Sequence, residues 1–110
     1  MTISEVDVVH ASLLAADGSA LLLDVREDDE WAAGHAPMAV HMPLGALEPS
    51  EVPRDRPVIA VCRSGRRSAR ATAVLGDAGI EVSNMVGGMQ AWSAAGLSVV
   101  ANDGSAGAVI

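Results

Sequence analysis

One residue in this chain of 110 has the makings of a nucleophile: its only cysteine, Cys62. It ends the apolar run Pro57-Val58-Ile59-Ala60-Val61 and opens a short stretch, Arg63-Ser64-Gly65, that leads into a helical pattern from Arg66. A thiol placed between a strand end and a helix start faces loop N–H groups and the positive end of the helix dipole. Arg63, Arg66 and Arg67 add full charges. Such settings lower a thiol pKa from about 8.5 to roughly 3.5–7.5, so a thiolate is expected at neutral pH. The opposing reading is an inert cysteine packed as a small hydrophobe. The glycine, the strand end and the Arg cluster favour the reactive one.

Other candidates are set against this. A single cysteine excludes an intramolecular disulfide and any zinc site built on paired cysteines. His10, His35 and His41 are not spaced as a metal site. His35 reads as a structural hydrogen-bonding residue, because a thiolate stabilised by its loop needs no base. His10 and His41 read as structural or exposed. Trp31 and Trp92 read as packing residues near the pocket mouth, and the acids Glu27 to Glu30 as a solvated helix start.

The net charge is −7, which argues against general nucleic-acid binding. Its distribution is uneven. Arg56, Arg63, Arg66, Arg67 and Arg70 lie between Asp55 and Asp77 with no acid among them, and there is no lysine. A local positive patch on an acidic chain fits a small anion.

The elements that must position Cys62 can be read from periodicity. Ile3 to Asp7 is a candidate edge strand, and Val8 to Ala16 a helix ended by Asp17-Gly18. Ala20 to Val25 has the continuous apolar character of a strand buried on both faces. Glu27 to Gly34 reads as a short helix with its acids at the favourable end, and Ala39 to Met42 as a short strand stopped by Pro43. Leu44 to Arg56 is an irregular connector. Pro57 to Cys62 is a second buried strand, Arg66 to Asp77 a helix, Ile80 to Val86 a strand, and a short helix runs through Gln90-Ala91-Trp92. Residues 1–101 form one domain, and the Gly/Ala/Ser-rich residues 102–110 are expected to be a disordered tail. Alternating strands and helices imply an α/β sandwich on a largely parallel sheet. The N-terminus shows no signal-peptide pattern and no apolar run reaches membrane length, so a reducing cytoplasm is the expected home.

Cys62-Arg63-Ser64-Gly65-Arg66-Arg67-Ser68 resembles the active-site loop of single-domain rhodaneses. Two more segments share the likeness. Asp24-Val25-Arg26 followed by Glu30-Trp31-Ala32-Ala33-Gly34-His35 resembles the family's D-V-R…E-x-x-x-G-H segment. Asn84-Met85-Val86-Gly87-Gly88-Met89-Gln90-Ala91-Trp92 resembles its strand–Gly-Gly–helix ending. The likeness covers about Ile3 to Val100. Met38 stands where the family usually has glycine. The resemblance implies a three-layer sandwich with a five-stranded, largely parallel central sheet flanked by helices. It implies a cofactor-independent sulfurtransferase in which Cys62 becomes a persulfide. Arg63, Ser64, Gly65, Arg66, Arg67 and Ser68 would then bind substrate, with Asp24 and Arg26 bracing the site. The implied partners are thiosulfate or a protein persulfide donor, and cyanide or a thiol as acceptor. No nucleic acid or membrane is expected, and a monomer or weak dimer is.

Two rival readings share Cys62. One is a relay or non-catalytic module of the same fold. The other is a phosphatase or arsenate reductase, which uses Cys-x₅-Arg on this fold. Counted from Cys62, that sixth position is Ser68, and Arg67 comes one residue too early.

Overall fold

The computed structural model describes residues 4–110. In chain order the elements are β1 (Glu5–Val6), α1 (Val8–Ala16), β2 (Leu21–Asp24), α2 (Asp28–Ala33), β3 (Val40–His41), β4 (Val58–Val61), α3 (Arg66–Asp77), β5 (Val82–Met85) and α4 (Gly88–Ala94). Two 3₁₀ turns, Leu44–Ala46 and Pro49–Glu51, punctuate the connector between β3 and β4. Helices α1 and α3 have the bounds expected from sequence. The strands are one or two residues shorter at each end, because pairing stops where the chain must turn. Ile3, expected to begin the first strand, lies outside the described residues.

The strand order is β1-β5-β4-β2-β3, and every pairing is parallel. The central strands β2 and β4 are buried along their whole length, as their unbroken apolar runs require. Successive side chains leave a strand on opposite faces, which divides the core in two. Leu22, Ile59, Val61 and Met85 face α1 and α4, meeting Ala11, Met89 and Trp92. Leu23, Ala60, Cys62 and Val82 face α3, meeting Ala71 and Leu75. Ser68, Ala71, Thr72 and Leu75 form the buried stripe of α3, at i, i+3, i+4 and i+7. This is the expected α/β three-layer sandwich.

Residues 102–110 depart from expectation. Rather than lying free, they double back across the end of α2. Asn102 and Ala108 donate backbone hydrogen bonds to the carbonyls of Ala32 and Ala33, and Gly107 donates to Val99. Val109 packs on the Trp92 side of the core. The small residues that resemble a disordered composition are what permit this approach: a Cβ on Gly107 would lie 2.8 Å from the Cα of Gly34. The turn at Pro37-Met38 also forms without the family's glycine, since among the described residues no non-glycine residue has a positive φ. Among the described residues, no helix is long and apolar enough to cross a membrane.

Candidate functional site

Cys62 is the first residue beyond β4, and parallel pairing brings the carboxyl ends of β2 and β5 alongside it. In open α/β sheets, this edge is where ligands bind. The loop closes tightly because Gly65 takes a left-handed conformation, φ +102°, directly before α3. That turn aims the Gly65 N–H at Cys62 Sγ, 3.0 Å away, and the Ser68 hydroxyl approaches Sγ from the first turn of α3 at 3.3 Å. Only 1% of Cys62 is exposed. Burial pushes its thiol pKa up, but hydrogen bonds from the Ser68 hydroxyl and from the Ser68, Gly65 and Ser64 N–H groups outweigh that. The net result is a pKa below the ordinary thiol value.

The start of α4 holds the back of this loop. Met89 N–H donates to the Cys62 carbonyl at 2.8 Å, and Gln90 N–H donates to the Arg63 carbonyl at 3.0 Å. These are N–H groups that a helix start leaves without partners. In a trans peptide the N–H points opposite to the C=O. Turning the Arg63 carbonyl toward α4 therefore turns the Ser64 N–H away from it, on the side of the sulfur. Gly88 makes the contact possible: a Cβ there would meet the Cys62 carbonyl oxygen at 2.4 Å.

Two residues outside the loop complete the network. Asn84 of β5 accepts from the Ser68 hydroxyl at 2.5 Å and donates to the Gly65 carbonyl at 3.1 Å. The register Ala60↔Asn84 puts it on the α3 face beside Cys62. Sequence reasoning assigned Asn84 no role. The available signal was a polar residue inside a buried strand, which must find partners. Glu30 of α2 is the other: it grips Arg67 through two bonds of 2.6 and 2.8 Å. That Arg67 hydrogen bond holds the Glu30 pKa down at about 2, and Glu30 in turn raises that of Arg67.

A sequence profile described as "Rhodanese-like domain" matches residues 8–95. A sulfurtransferase of Allochromatium vinosum is 40% identical over 106 residues, spanning 93% of this chain and 99% of that one. The chain belongs to the rhodanese-like domain family. A putative sulfurtransferase of Bacillus subtilis is 38% identical over 81 residues, covering 72% of this rhodanese-like domain and 79% of its own chain. The solved structure of a rhodanese-related protein from Thermoplasma volcanium superposes with a TM-score of 0.79 at 28% identity, covering 88% of this chain and 97% of that one. These relatives support a rhodanese-like sulfur-transfer role.

The remaining residues of the rhodanese-like domain divide by location. Arg63, Ser64 and Arg66 are exposed at the loop. Arg67 is committed to Glu30, so it is less free for substrate than its place in the sequence implies. Arg56 leaves the cluster altogether: it precedes β4 at the opposite edge of the sheet and reaches the Gly18 carbonyl. There it lines, with Arg54 and Glu81, a cleft of about 290 Å³ remote from Cys62.

Asp24 and Arg26 form a fully buried ion pair, 2.8 Å between Oδ2 and Nη2. The register Asp24↔Val61 puts Asp24 on the face opposite Cys62. Arg26 also donates to the Gly34 carbonyl at 2.7 Å. The pair therefore braces the turn after α2 and makes no bond to the sulfur. His35 donates to the Trp31 carbonyl, and Trp31 stacks between the rings of His35 and His41. Trp92 is core, its indole N–H donating to Ser98. Among the described residues, no group of His, Cys, Asp and Glu is placed to hold a metal ion.

Proposed function

We propose that this domain moves a sulfane sulfur from thiosulfate or a persulfide donor to cyanide or a thiol, with Cys62 carrying the sulfur between them. In the first step Cys62–S⁻ attacks the outer sulfur of thiosulfate, giving Cys62–S–S⁻ and sulfite. In the second, cyanide takes the outer sulfur as thiocyanate and Cys62–S⁻ leaves. Each step forms one bond to sulfur and breaks another, so no outside electron carrier is called for.

The observation that carries this reading is the convergence on one atom. The Gly65 N–H and the Ser68 hydroxyl reach Sγ at 3.0 and 3.3 Å inside a closed loop. Donors placed within reach of the sulfur stabilise the thiolate both as nucleophile and as leaving group. Arg63 and Arg66, exposed beside them, favour approach of an anionic donor. The oxyanion alternative fits less well. The sixth position carries Ser68, whose hydroxyl lies within reach of the sulfur and of Asn84, and the nearest arginine is held by Glu30. A reducing compartment such as the cytoplasm would keep the single thiol available.

Intact-mass measurement after mixing with thiosulfate tests the proposal. One added sulfur atom, removed by cyanide, is the expected result. No mass gain, or aryl-phosphate hydrolysis faster than sulfur transfer, would falsify it.

A further inference from the structure

The Ser68 hydroxyl lies between two acceptors, Cys62 Sγ at 3.3 Å and Asn84 Oδ1 at 2.5 Å. A hydroxyl has a single proton to donate, so it cannot serve both. Asn84 cannot rotate its amide to relieve the conflict. Its Nδ2 donates to the Gly65 carbonyl, and a carbonyl only accepts, so Oδ1 must face Ser68. Cys62, Ser68 and Asn84 are all buried. The charged groups around the sulfur come from the loop and α3 (Arg63, Arg66, Arg67) and from α2 (Glu30). Asp24 and Arg26 lie across the sheet, and β5 and α4 contain no charged residue.

We propose that Asn84 is a positioning residue that competes with Cys62 for the one Ser68 proton, so that the hydroxyl bonds Asn84 while Sγ is uncharged and swings to Sγ when it becomes a thiolate. In the thiol form the chain of bonds is complete: S–H to Ser68 Oγ, Ser68 O–H to Asn84 Oδ1, and one Nδ2–H of Asn84 to the Gly65 carbonyl. On ionisation the sulfur proton leaves to solvent and Ser68 turns. Asn84 Oδ1 is then buried without a donor, a state that costs free energy. Asn84 thus opposes ionisation and leaves the thiolate less stabilised than its loop alone would make it. A thiolate of higher pKa is the stronger nucleophile.

Loading with sulfur has the opposite effect. The negative charge moves from Sγ to the outer sulfur, Sγ becomes uncharged, and Ser68 returns to Asn84. Asn84 therefore favours the loaded cysteine over the empty thiolate. This loaded arm rests on the persulfide reading above; the ionisation arm does not.

Iodoacetamide alkylation rate against pH provides the test, on Asn84→Ala, Ser68→Ala and the double variant. Asn84→Ala is expected to lower the thiol midpoint by about one pH unit by freeing the Ser68 proton. Ser68→Ala is expected to raise it, and adding Asn84→Ala to Ser68→Ala is expected to change nothing further. If Asn84 merely held Gly65 in place, its loss would raise the midpoint with or without Ser68, and that result would overturn the proposal. The unaltered protein offers a second readout that no folding failure can remove. The Asn84 side-chain amide resonances should move with the thiol titration and return when thiosulfate loads the cysteine. Resonances unmoved through the titration would overturn the proposal. A cysteine that never gains sulfur defeats the persulfide reading alone and leaves the titration result standing.

Discussion

Burial by itself would keep the Cys62 thiol protonated, yet its pKa lies below the ordinary value because donors from Ser68, Gly65 and Ser64 favour the anion. A lowered acid pKa means that the thiolate persists to lower pH than a free thiol allows. The alkylation rate should therefore rise with a midpoint below about 8.5. A midpoint at or above the free-thiol value contradicts the geometry. Cys62→Ser should abolish sulfur transfer while leaving the fold intact, because serine fills a similar volume but ionises far too weakly to replace a thiolate. Circular dichroism and thiosulfate turnover on the same sample check both halves. Transfer retained in a folded Cys62→Ser protein ends the mechanism.

At the scale of elements, the site is a loop clamped from two sides. Helix α4 holds its carbonyls through Met89 and Gln90, and α2 holds the first turn of α3 through Glu30 and Arg67. Gly88→Ala should disrupt the first clamp. It puts a Cβ against the Cys62 and Arg63 carbonyls at a φ of +58°, where any side chain is strained. A loop displaced by about 1 Å can lose about 100-fold in transfer rate. Unchanged turnover in Gly88→Ala would mean that the carbonyls do not set the loop. The second clamp should be pH-dependent. The Glu30 pKa is lowered from 4.5 to about 2, so its stabilisation is complete above 4.5 and disappears as the pH falls toward 2. Glu30→Gln should be less stable than the natural protein at neutral pH, with the gap closing across that acid range. Urea midpoints measured at pH 7 and pH 2.5 report it, and an equal gap at both would refute the pairing's role.

Across the whole molecule, the chain's last nine residues belong to the domain's packing. They supply backbone donors to Ala32 and Ala33 and place Val109 on the core. Two or three net hydrogen bonds and part of a valine add about 1–3 kcal/mol. Truncation after Ala101 is expected to lower Tm by several degrees, and an unchanged Tm would show that the tail contributes nothing. The same segment lies over Gly34, whose carbonyl Arg26 holds. The tail and the buried Asp24–Arg26 pair thus support one turn from outside and inside.

What the sequence determined was local. Apolar spacing placed α1, Gly65 and Gly79 bounded α3, unbroken apolar runs marked β2 and β4 as central, and Cys62 at a strand end before Gly65 indicated a reactive thiol. These features depend on neighbours within a few positions. The meetings across the fold were not legible. Strand register put Asn84 beside Cys62 and sent the Asp24–Arg26 pair to the opposite face. The packing of α2 against α3 gave Arg67 to Glu30, while chain direction carried Arg56 to the far edge of the sheet although it sits near the other arginines in sequence. The tail's composition matched disorder because small residues serve two ends: they leave a free chain flexible, and they let a packed backbone come close. Only the surface waiting at Gly34 decided between them.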